Sequence, residues 1–315
     1  MSSIHPTVNL YKGDRLKGVW NHRSYRIERL LGEGARGSTY LASWNQQTVA
    51  LKISKDPSVV TAESNVLRKL NKVQGVKLGP SLLDVDDTYI RQGSKYSFYV
   101  MEYVKGLTLK DWFEQHSTRK LGDHTSQLLN YLHELHRLGY AYGDFKPDNI
   151  IIEQKTNQLR LVDVGGVTKF GRAVREYTTI YDRGYWRLGS RKADATYDLF
   201  SLAICMIQAD SNQKLKQASK NKSILKRLPS FQTITPYHEV IRKALLGSYS
   251  QALSMKKEVD HINRKLLTMR QKSTNHRYKK RKPTTTHAVD HTEVIGVTSV
   301  VAIHLTILYV LIQTL

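Results

Sequence analysis

The sequence predicts an α+β fold with a strand-rich lobe, a helical lobe after it and one apolar helix at the C-terminus. Three observations carry this prediction. Roughly the first hundred residues contain short runs of β-forming residues and a single helical stretch. The middle of the chain has apolar residues at helical spacing, and the last 22 residues contain no charged side chain.

The strand-rich lobe is predicted from short apolar and β-branched runs. A helix is expected at residues 62–70, where Leu67 and Leu70 recur at helical spacing. Residues 1–24 show no comparable pattern and are interpreted as an N-terminal extension. The expected strands cover residues 25–31, 39–44, 48–53, 81–85, 89–91 and 97–103.

The helical lobe begins after residues 102–106, which join the two lobes. Residues 199–207 are apolar on all sides and predict a fully buried helix. The only cysteine, Cys205, lies in that helix, which excludes an internal disulfide and predicts an inert thiol. A second, amphipathic helix is predicted from five leucines spaced mainly by three and four: Leu128, Leu129, Leu132, Leu135 and Leu138.

The chain is strongly basic, with a net charge of +22, and the excess is concentrated in one stretch. Residues 214–282 hold 19 Lys or Arg against three acids, a net charge of +16. Such a stretch indicates a polyanionic partner, either nucleic acid or an anionic membrane. DNA is favoured because the basic residues begin 80 positions before the apolar tail. The candidate DNA or phosphate contacts are Lys214, Lys216, Lys220, Lys222, Lys226 and Arg227.

The tail, residues 294–315, is predicted to span a membrane as one helix, since about 20 apolar residues cover a hydrocarbon core. A buried core helix is the alternative. Residues 268–293 form a basic juxtamembrane linker, and its cluster at 279–282 predicts a cytoplasmic N-terminal side. The N-terminus lacks a secretory signal, so the expected location is the cell membrane with a cytoplasmic catalytic part and no external sensor domain.

Three glycines, Gly32, Gly34 and Gly37, lie between two predicted strands. Residues without side chains let backbone amides approach phosphate oxygens closely. The strand-to-strand setting argues against a dinucleotide fold, in which the glycines lead into a helix. Lys52 ends the next apolar strand, where it can pair with phosphates, and Glu63 on the following helix can hold it in place.

The decisive segment is Tyr142-Gly-Asp-Phe-Lys-Pro-Asp-Asn149, which is followed by Leu161-Val-Asp-Val-Gly165. Together with the glycine loop, Lys52 and Glu63, these segments resemble the Hanks-type bacterial serine/threonine protein kinases over residues 25–267. The resemblance implies a bilobal protein kinase fold, transfer of the ATP γ-phosphoryl group to serine or threonine, and the cofactors ATP and Mg²⁺.

The family resemblance also assigns roles. Asp144 is the expected catalytic base, and Lys146 contacts the γ-phosphate. Asn149 and Asp163 are the expected Mg²⁺ ligands, and Asp198 supports the catalytic loop from the core helix. Met101 matches the gatekeeper position. The expected ATP contacts are Leu31, Gly32, Gly34, Gly37, Thr39, Ala50, Lys52, Glu63, Met101, Glu102, Val104 and Ile151.

Several positions depart from the family pattern. Gly143 stands where the family has an arginine before the catalytic aspartate, which argues against control by a loop phosphate. Val164 replaces a phenylalanine, and residues 182–186 replace an Ala-Pro-Glu motif. Thr178 and Thr179 are candidate autophosphorylation sites, with ordinary loop hydroxyls as the alternative.

The layout most resembles the small membrane-anchored kinases of spore-forming Bacillus relatives, which implies DNA-stimulated activity and DNA-associated protein substrates. Dimerisation stays open. Two alternatives are a pseudokinase that tethers DNA or a partner to the membrane, and a small-molecule phosphotransferase, in which Gly-Asp also occurs. Lys146, the proline after it and the glycine loop favour a protein kinase.

Overall fold

The computed structural model describes residues 8–72, 77–90, 93–116 and 120–280. The predicted tail helix at 294–315 and the second half of the linker, residues 281–293, lie outside these residues. The chain divides into two compact units, Met1–Lys265 and Leu266–Leu315, and the first contains all of the predicted site residues.

In the described residues, the strand-rich lobe is one antiparallel sheet of six strands with a single helix, α1, at Pro57–Leu70. The order of the strands across the sheet is β1-β2-β3-β4-β6-β5. Most of these elements match the prediction. The six strands are β1 (Arg15–Lys17), β2 (Ser24–Gly34), β3 (Gly37–Trp44), β4 (Gln47–Ser54), β5 (Leu82–Ile90) and β6 (Ser94–Glu102).

Residues 8–24, interpreted as an extension, are part of this lobe. Their segment Arg15–Lys17 forms the edge strand beside β2, and Val8 and Leu16 are buried in the sheet core. The backbone N–H groups of Trp20 and Asn21 donate to the Asp86 carboxylate at 3.0 and 2.8 Å. The segment is therefore held against the sheet both by neighbouring β2 and by Asp86, which lies more than 60 positions away. The boundary of the extension at residue 24 stays a prediction.

One strand replaces the two predicted at 81–85 and 89–91. Its middle holds aspartates, which are rare in strands, so the sequence pattern appears interrupted. Asp84 and Asp86 are nevertheless buried, because Asp84 accepts a hydrogen bond from the Tyr25 hydroxyl at 2.6 Å and Asp86 binds the N-terminal segment. Pairing of these carboxylates lets β5 continue beside β6 as one strand, with a shift in register between Leu82 and Asp84.

Helix α1 starts earlier than the predicted residue 62. The Asp56 side chain caps it by accepting from the Ser58 N–H at 2.8 Å, and Pro57 occupies its first turn. The helix buries Glu63, Leu67 and Leu70 against the sheet. This orientation places the single buried carboxylate of the helix next to β4.

The helical lobe contains seven helices in the described residues and short paired strands near the junction of the lobes. The helices are α2 (Leu109–Gln115), α3 (Leu121–Arg137), α4 (Ala195–Asp210), α5 (Asn212–Lys220), α6 (Ile224–Arg227), α7 (His238–Leu245) and α8 (Ala252–Lys280). The strands are β7 (Gly106–Thr108), β8 (Tyr140–Ala141), β9 (Ile150–Glu153), β10 (Leu159–Leu161) and β11 (Thr168–Lys169).

The predicted buried helix and the predicted leucine-rich helix are both confirmed, except for the last leucine of the second. Helix α4 is buried along almost its whole length, as its apolar sequence indicates. In α3, Leu128, Leu129, Leu132 and Leu135 are buried, but Leu138 is the C-cap and is 42% exposed. The helix ends there because Gly139 adopts a φ of +78°, a backbone conformation typical of the residue after a helix.

Helix α8 continues to Lys280 and so includes the first part of the predicted linker. Among the residues that the structure describes, no helix combines the length and the apolar character that a membrane span requires.

Candidate active site

Lys52 lies at the centre of a charged cluster between the two lobes. Its Nζ is 2.7 Å from Glu63 Oε2 on α1 and 3.4 Å from Asp163 Oδ1, which follows β10. Lys52 and Glu63 are buried, whereas the side chain of Asp163 is 43% exposed. The structure thus brings together the strand lysine, the helix glutamate and the aspartate that the sequence motifs singled out.

The cluster shifts the pKa of its members in opposite directions. Burial alone lowers the pKa of the Lys52 ammonium, but the charges of Asp163 and Glu63 overcome this effect and raise it. Loss of hydration raises the pKa of the Asp163 carboxyl, and Lys52 together with the Gly165 N–H more than offsets this, so that the pKa lies below its ordinary value. Lys52 and Asp163 therefore stay charged at neutral pH.

The glycine-rich turn joins β2 to β3 above this cluster. A Cβ atom built on Gly32 or Gly34 meets no protein atom within 4 Å. Gly37 differs, because its φ is +138° and a Cβ there would lie 2.3 Å from the Ile53 carbonyl oxygen. Gly37 is therefore required for the turn to approach β4, while Gly32 and Gly34 leave their backbone accessible to a large anion.

The remaining predicted ATP contacts lie around this turn and the lobe junction. Ala50 and Met101 face each other in the β4–β6 register and are buried, as is Val104. The Glu102 N–H donates to the Ser81 carbonyl at 2.9 Å, so this group is already bonded within the protein. Leu31 and Thr39 on the glycine hairpin and Ile151 on β9 are partly buried. Their contacts with ATP stay predictions.

Glu102 also makes an ion pair that the sequence did not suggest. Its carboxylate accepts from the Arg160 guanidinium at 3.0 Å, and Arg160 is only 2% exposed. Arg160 Nη2 also donates to the Gly79 carbonyl at 3.2 Å. Arg160 thereby ties the segment between the lobes to β10, which leads directly to Asp163.

Asp144 is held by three donors, two from its own loop and one, Thr178, from the segment that follows Asp163. Lys146 Nζ lies 2.6 Å from its Oδ2, and the Thr178 hydroxyl donates to its Oδ1 at 2.8 Å. The Asn149 amide nitrogen donates to the Asp144 carbonyl at 3.0 Å and to Oδ2 at 3.3 Å. These bonds fix the carboxylate in one orientation, with more donors at Oδ2 than at Oδ1.

Asp198 supports this loop from below. It is fully buried on α4 and accepts from the backbone N–H groups of Tyr142 and Gly143 at 2.7 and 3.0 Å. His136 Nε2 lies 2.9 Å from the same carboxylate. The structure therefore links the core helix to the catalytic loop through one buried carboxylate, where the family resemblance placed it.

The absence of an arginine before Asp144 has a steric reason. Gly143 has a φ of +83°, in the left-handed region that favours glycine. A Cβ there would lie 2.3 Å from the Gly166 carbonyl oxygen. No side chain fits at position 143 in this loop, so the loop has no cation there to pair with a phosphorylated activation segment.

The activation segment, residues 163–182, is instead held by residues that sequence reasoning missed. Arg36 on the glycine turn binds the Glu176 carboxylate at 2.5 Å and the Gly165 carbonyl at 3.3 Å. Burial raises the pKa of Glu176 even though Arg36 and Lys52 oppose the shift. No local pattern reveals this contact, because it joins segments far apart in the sequence.

The region in place of the Ala-Pro-Glu motif is anchored by Asp182, which is fully buried. Asp182 accepts from the Gly184 N–H at 3.0 Å, from Arg191 Nε at 2.8 Å and from the Tyr197 hydroxyl at 3.1 Å. The adjacent Arg183 pairs with Asp194 at 2.9 Å. These bonds to Asp182 and Arg183 secure the end of the activation segment without the usual glutamate.

The structure places the other predicted residues at the surface, with the exception of Thr178. Thr179 is exposed, whereas the Thr178 hydroxyl is bonded to Asp144 and Lys146 inside the site. All six candidate DNA contacts, on α5, α6 and the turn between them, are exposed. One of them, Lys222, has its Nζ 5.0 Å from the Tyr185 ring centroid.

Comparisons with known proteins agree with this geometry. The family profile described as "Protein kinase domain" matches residues 25–292. Serine/threonine-protein kinase YabT of Bacillus subtilis is 41% identical over 253 residues, which cover 80% of this chain and 75% of that protein. Serine/threonine-protein kinase PknG of Mycolicibacterium smegmatis is 25% identical over 238 residues, covering 70% of this chain and 30% of that protein.

A solved structure supports the fold independently. The structure of vaccinia related kinase 3 aligns with a TM-score of 0.60 at 17% identity, covering 82% of this chain and 92% of that one. These findings exclude the small-molecule phosphotransferase as the main interpretation. The chain belongs to the Hanks-type protein kinases, as a bacterial serine/threonine kinase similar to YabT that uses ATP and Mg²⁺.

Proposed function

We propose that this kinase works at the cytoplasmic face of a membrane, phosphorylates itself and cytosolic or DNA-associated proteins, and is stimulated by DNA. We assign the phosphoryl transfer itself to Asp144 and the residues around it. The arrangement of Lys146, Asn149 and Thr178 around Asp144 carries this assignment, because it holds one carboxylate ready beside a cationic side chain. Among the alternatives, a pseudokinase is disfavoured by the intact Lys52, Asp144, Asn149 and Asp163.

The donor groups of the cleft fit Mg²⁺ and a nucleotide. Asp163 offers a carboxylate, and Asn149 offers an amide oxygen because its nitrogen already binds Asp144. The described residues contain no cluster of three or more His, Cys, Asp or Glu placed for a metal. This agrees with Mg²⁺, which is commonly held by one or two protein ligands together with substrate phosphates.

Each charged residue has a separate task in the proposed mechanism. When bound, Mg²⁺-ATP supplies the phosphoryl group. Lys52, fixed by Glu63, holds the phosphate chain, and the amides of the glycine turn add hydrogen-bond donors. Asp144 accepts the proton of the substrate hydroxyl at Oδ1, the oxygen with fewer donors, while Lys146 balances charge on the transferred group.

Thr178 is proposed to position Asp144, and Thr179 is proposed as the autophosphorylation site. Thr178→Val should lower kcat about tenfold, since it removes a hydrogen bond to a charged group. Thr178→Ser, which keeps the hydroxyl, should retain most of the activity. Mass spectrometry after incubation with ATP should find phosphate on Thr179. Full activity of Thr178→Val, or phosphate mainly on Thr178, would contradict these two roles.

Stimulation by DNA is supported by the position of the basic residues. Lys216 and Lys220 are exposed four positions apart on α5 and so share one face of the helix. The end of α5 contacts the residues that follow the activation segment, because the Tyr185 hydroxyl donates to the Ser219 carbonyl at 3.0 Å. We expect a polyanion bound along α5 to act on the activation segment through this hydrogen bond between Tyr185 and Ser219.

The DNA proposal predicts a specific salt dependence. Replacing Lys216, Lys220 and Lys226 together by alanine should weaken DNA binding by the full-length chain and reduce the slope of log K against log salt by about 2–3. DNA should then no longer stimulate the variant, while its basal activity stays the same. The control, Lys12, Lys17 and Lys72 to alanine, removes the same charge from the other lobe. Equal losses in both variants, or a binding constant independent of salt, would exclude these contacts.

A further inference from the structure

Tyr99 lies directly behind the catalytic lysine. It stands on β6 opposite Lys52 on β4, so the two side chains project from the same face of the sheet. That face is covered by α1, which carries Glu63. Tyr99 is 1% exposed, and burial raises the pKa of its hydroxyl well above the ordinary value. The hydroxyl is therefore a protonated donor at neutral pH.

The hydroxyl of Tyr99 donates to Glu63 Oε2 at 2.8 Å. Lys52 Nζ lies 2.7 Å from the same oxygen. The other oxygen, Oε1, is buried and has no hydrogen-bond partner among the described residues. Glu63 is thus held by two donors at one atom, and one of the two is a residue that no kinase motif of this chain contains.

We propose that Tyr99 is a positioning residue, whose hydroxyl holds Glu63, and with it helix α1, in the arrangement that pairs Glu63 with Lys52. If α1 moves away from the sheet, the buried hydroxyl loses its acceptor and Glu63 loses a donor. Buried polar groups without partners are unfavourable, so both groups favour the docked helix. The ion pair with Lys52 alone would hold Glu63 and α1 less firmly, because Asp163, at 3.4 Å, competes with Glu63 for the Lys52 ammonium.

A role in packing alone makes a different prediction. The neighbours of Tyr99 on β6 are apolar, and phenylalanine fills nearly the same volume as tyrosine. If the ring only fills space, removal of the hydroxyl should leave catalysis unchanged. If the hydroxyl positions Glu63, removal of the hydroxyl should lower catalytic activity and loosen helix α1. Both effects should occur only while Glu63 is present.

The test is Tyr99→Phe in the full-length chain. We expect kcat/KM for ATP to fall about tenfold, the loss typical of a hydrogen bond to a charged group. The amides of α1 should exchange with solvent faster. In a Glu63→Ala background the same substitution should change kcat/KM less than about twofold, because its acceptor is already gone.

The matched control is Tyr25→Phe. The Tyr25 hydroxyl donates to the Asp84 carboxylate at 2.6 Å and is buried in the same lobe, in a hydrogen bond that involves neither Lys52 nor Glu63. This variant should melt at a lower temperature but keep its kinetic constants within about twofold. Unchanged kcat/KM in Tyr99→Phe, or an equal loss with and without Glu63, would overturn the proposal. A fall in melting temperature alone, without a kinetic change, would reduce Tyr99 to a packing residue.

Discussion

Asp144→Asn is expected to lower kcat by about 10²–10⁴-fold, the range measured for loss of a catalytic acid or base. Asparagine keeps the size of the side chain and can still accept from the Thr178 hydroxyl, so the loop should stay folded. It cannot accept a proton from the substrate, and it no longer neutralises Lys146, 2.6 Å away. KM for ATP should change little, because Asp144 is not assigned to nucleotide binding.

The measurement is steady-state transfer of labelled phosphate to a protein substrate, with ATP binding followed separately. Asp148→Asn is the control. Asp148 lies in the same loop, but its side chain is 48% exposed and pairs only with Lys110 at 3.5 Å among the described residues. A similar loss in both variants would attribute the effect to the charge of the loop. A kcat of Asp144→Asn within tenfold of wild type would contradict the role of Asp144.

Lys52→Met should reduce kcat/KM by about 10²–10³-fold, as expected when a charged group that stabilises the transferring phosphoryl is removed. It should also lower the free energy of unfolding by about 3 kcal/mol at neutral pH, because Glu63 and Asp163 lose their common cation. The buried position of Lys52 makes this loss larger than for a surface lysine.

The loss of stability should depend on pH in a definite direction. Lys52 helps to lower the pKa of Asp163 below its ordinary value of 3.8. A depressed carboxyl pKa stabilises the fold above the unfolded-state value, and this stabilisation disappears as the pH falls through the folded-state value. The stability gap between wild type and Lys52→Met should therefore be full at pH 7 and narrow below about pH 4.

Urea unfolding at a series of pH values measures this gap. Lys55→Met is the control, since Lys55 is exposed three positions further along the chain. It should unfold like the wild type at each pH, within about 0.5 kcal/mol. A gap that stays constant from pH 7 to pH 3, or one that widens in acid, would show that Lys52 does not stabilise ionised Asp163.

The catalytic residues could be found from the sequence because their spacing is local. Asp144, Lys146 and Asn149 lie within six consecutive positions, so one loop fixes their geometry. Helix α4 could be predicted equally well, since a helix that is apolar on all sides is stable only when it is buried. The end of α3 could also have been placed correctly, because Gly139 after Leu138 is a typical helix stop.

Contacts between distant segments could not be predicted in the same way. Asp86 looks unsuited to a strand until its partners near residue 20 are known. The pairs Arg36–Glu176 and Tyr99–Glu63 likewise join residues that no periodicity connects. These side chains read as ordinary surface charges or core aromatics in the sequence. Their roles appear only when the fold brings the segments together.

The central claim, that Asp144 directs transfer of the ATP γ-phosphoryl group to serine or threonine, has one direct test. The full-length chain is incubated with Mg²⁺ and ATP labelled in the γ-phosphate, with a generic protein, with and without DNA, and the labelled amino acids are identified. We predict phosphoserine or phosphothreonine, more of it when DNA is present, and at least about a hundredfold less of it with Asp144→Asn. Absence of labelled protein under every condition, in a chain that still binds ATP, would contradict the claim.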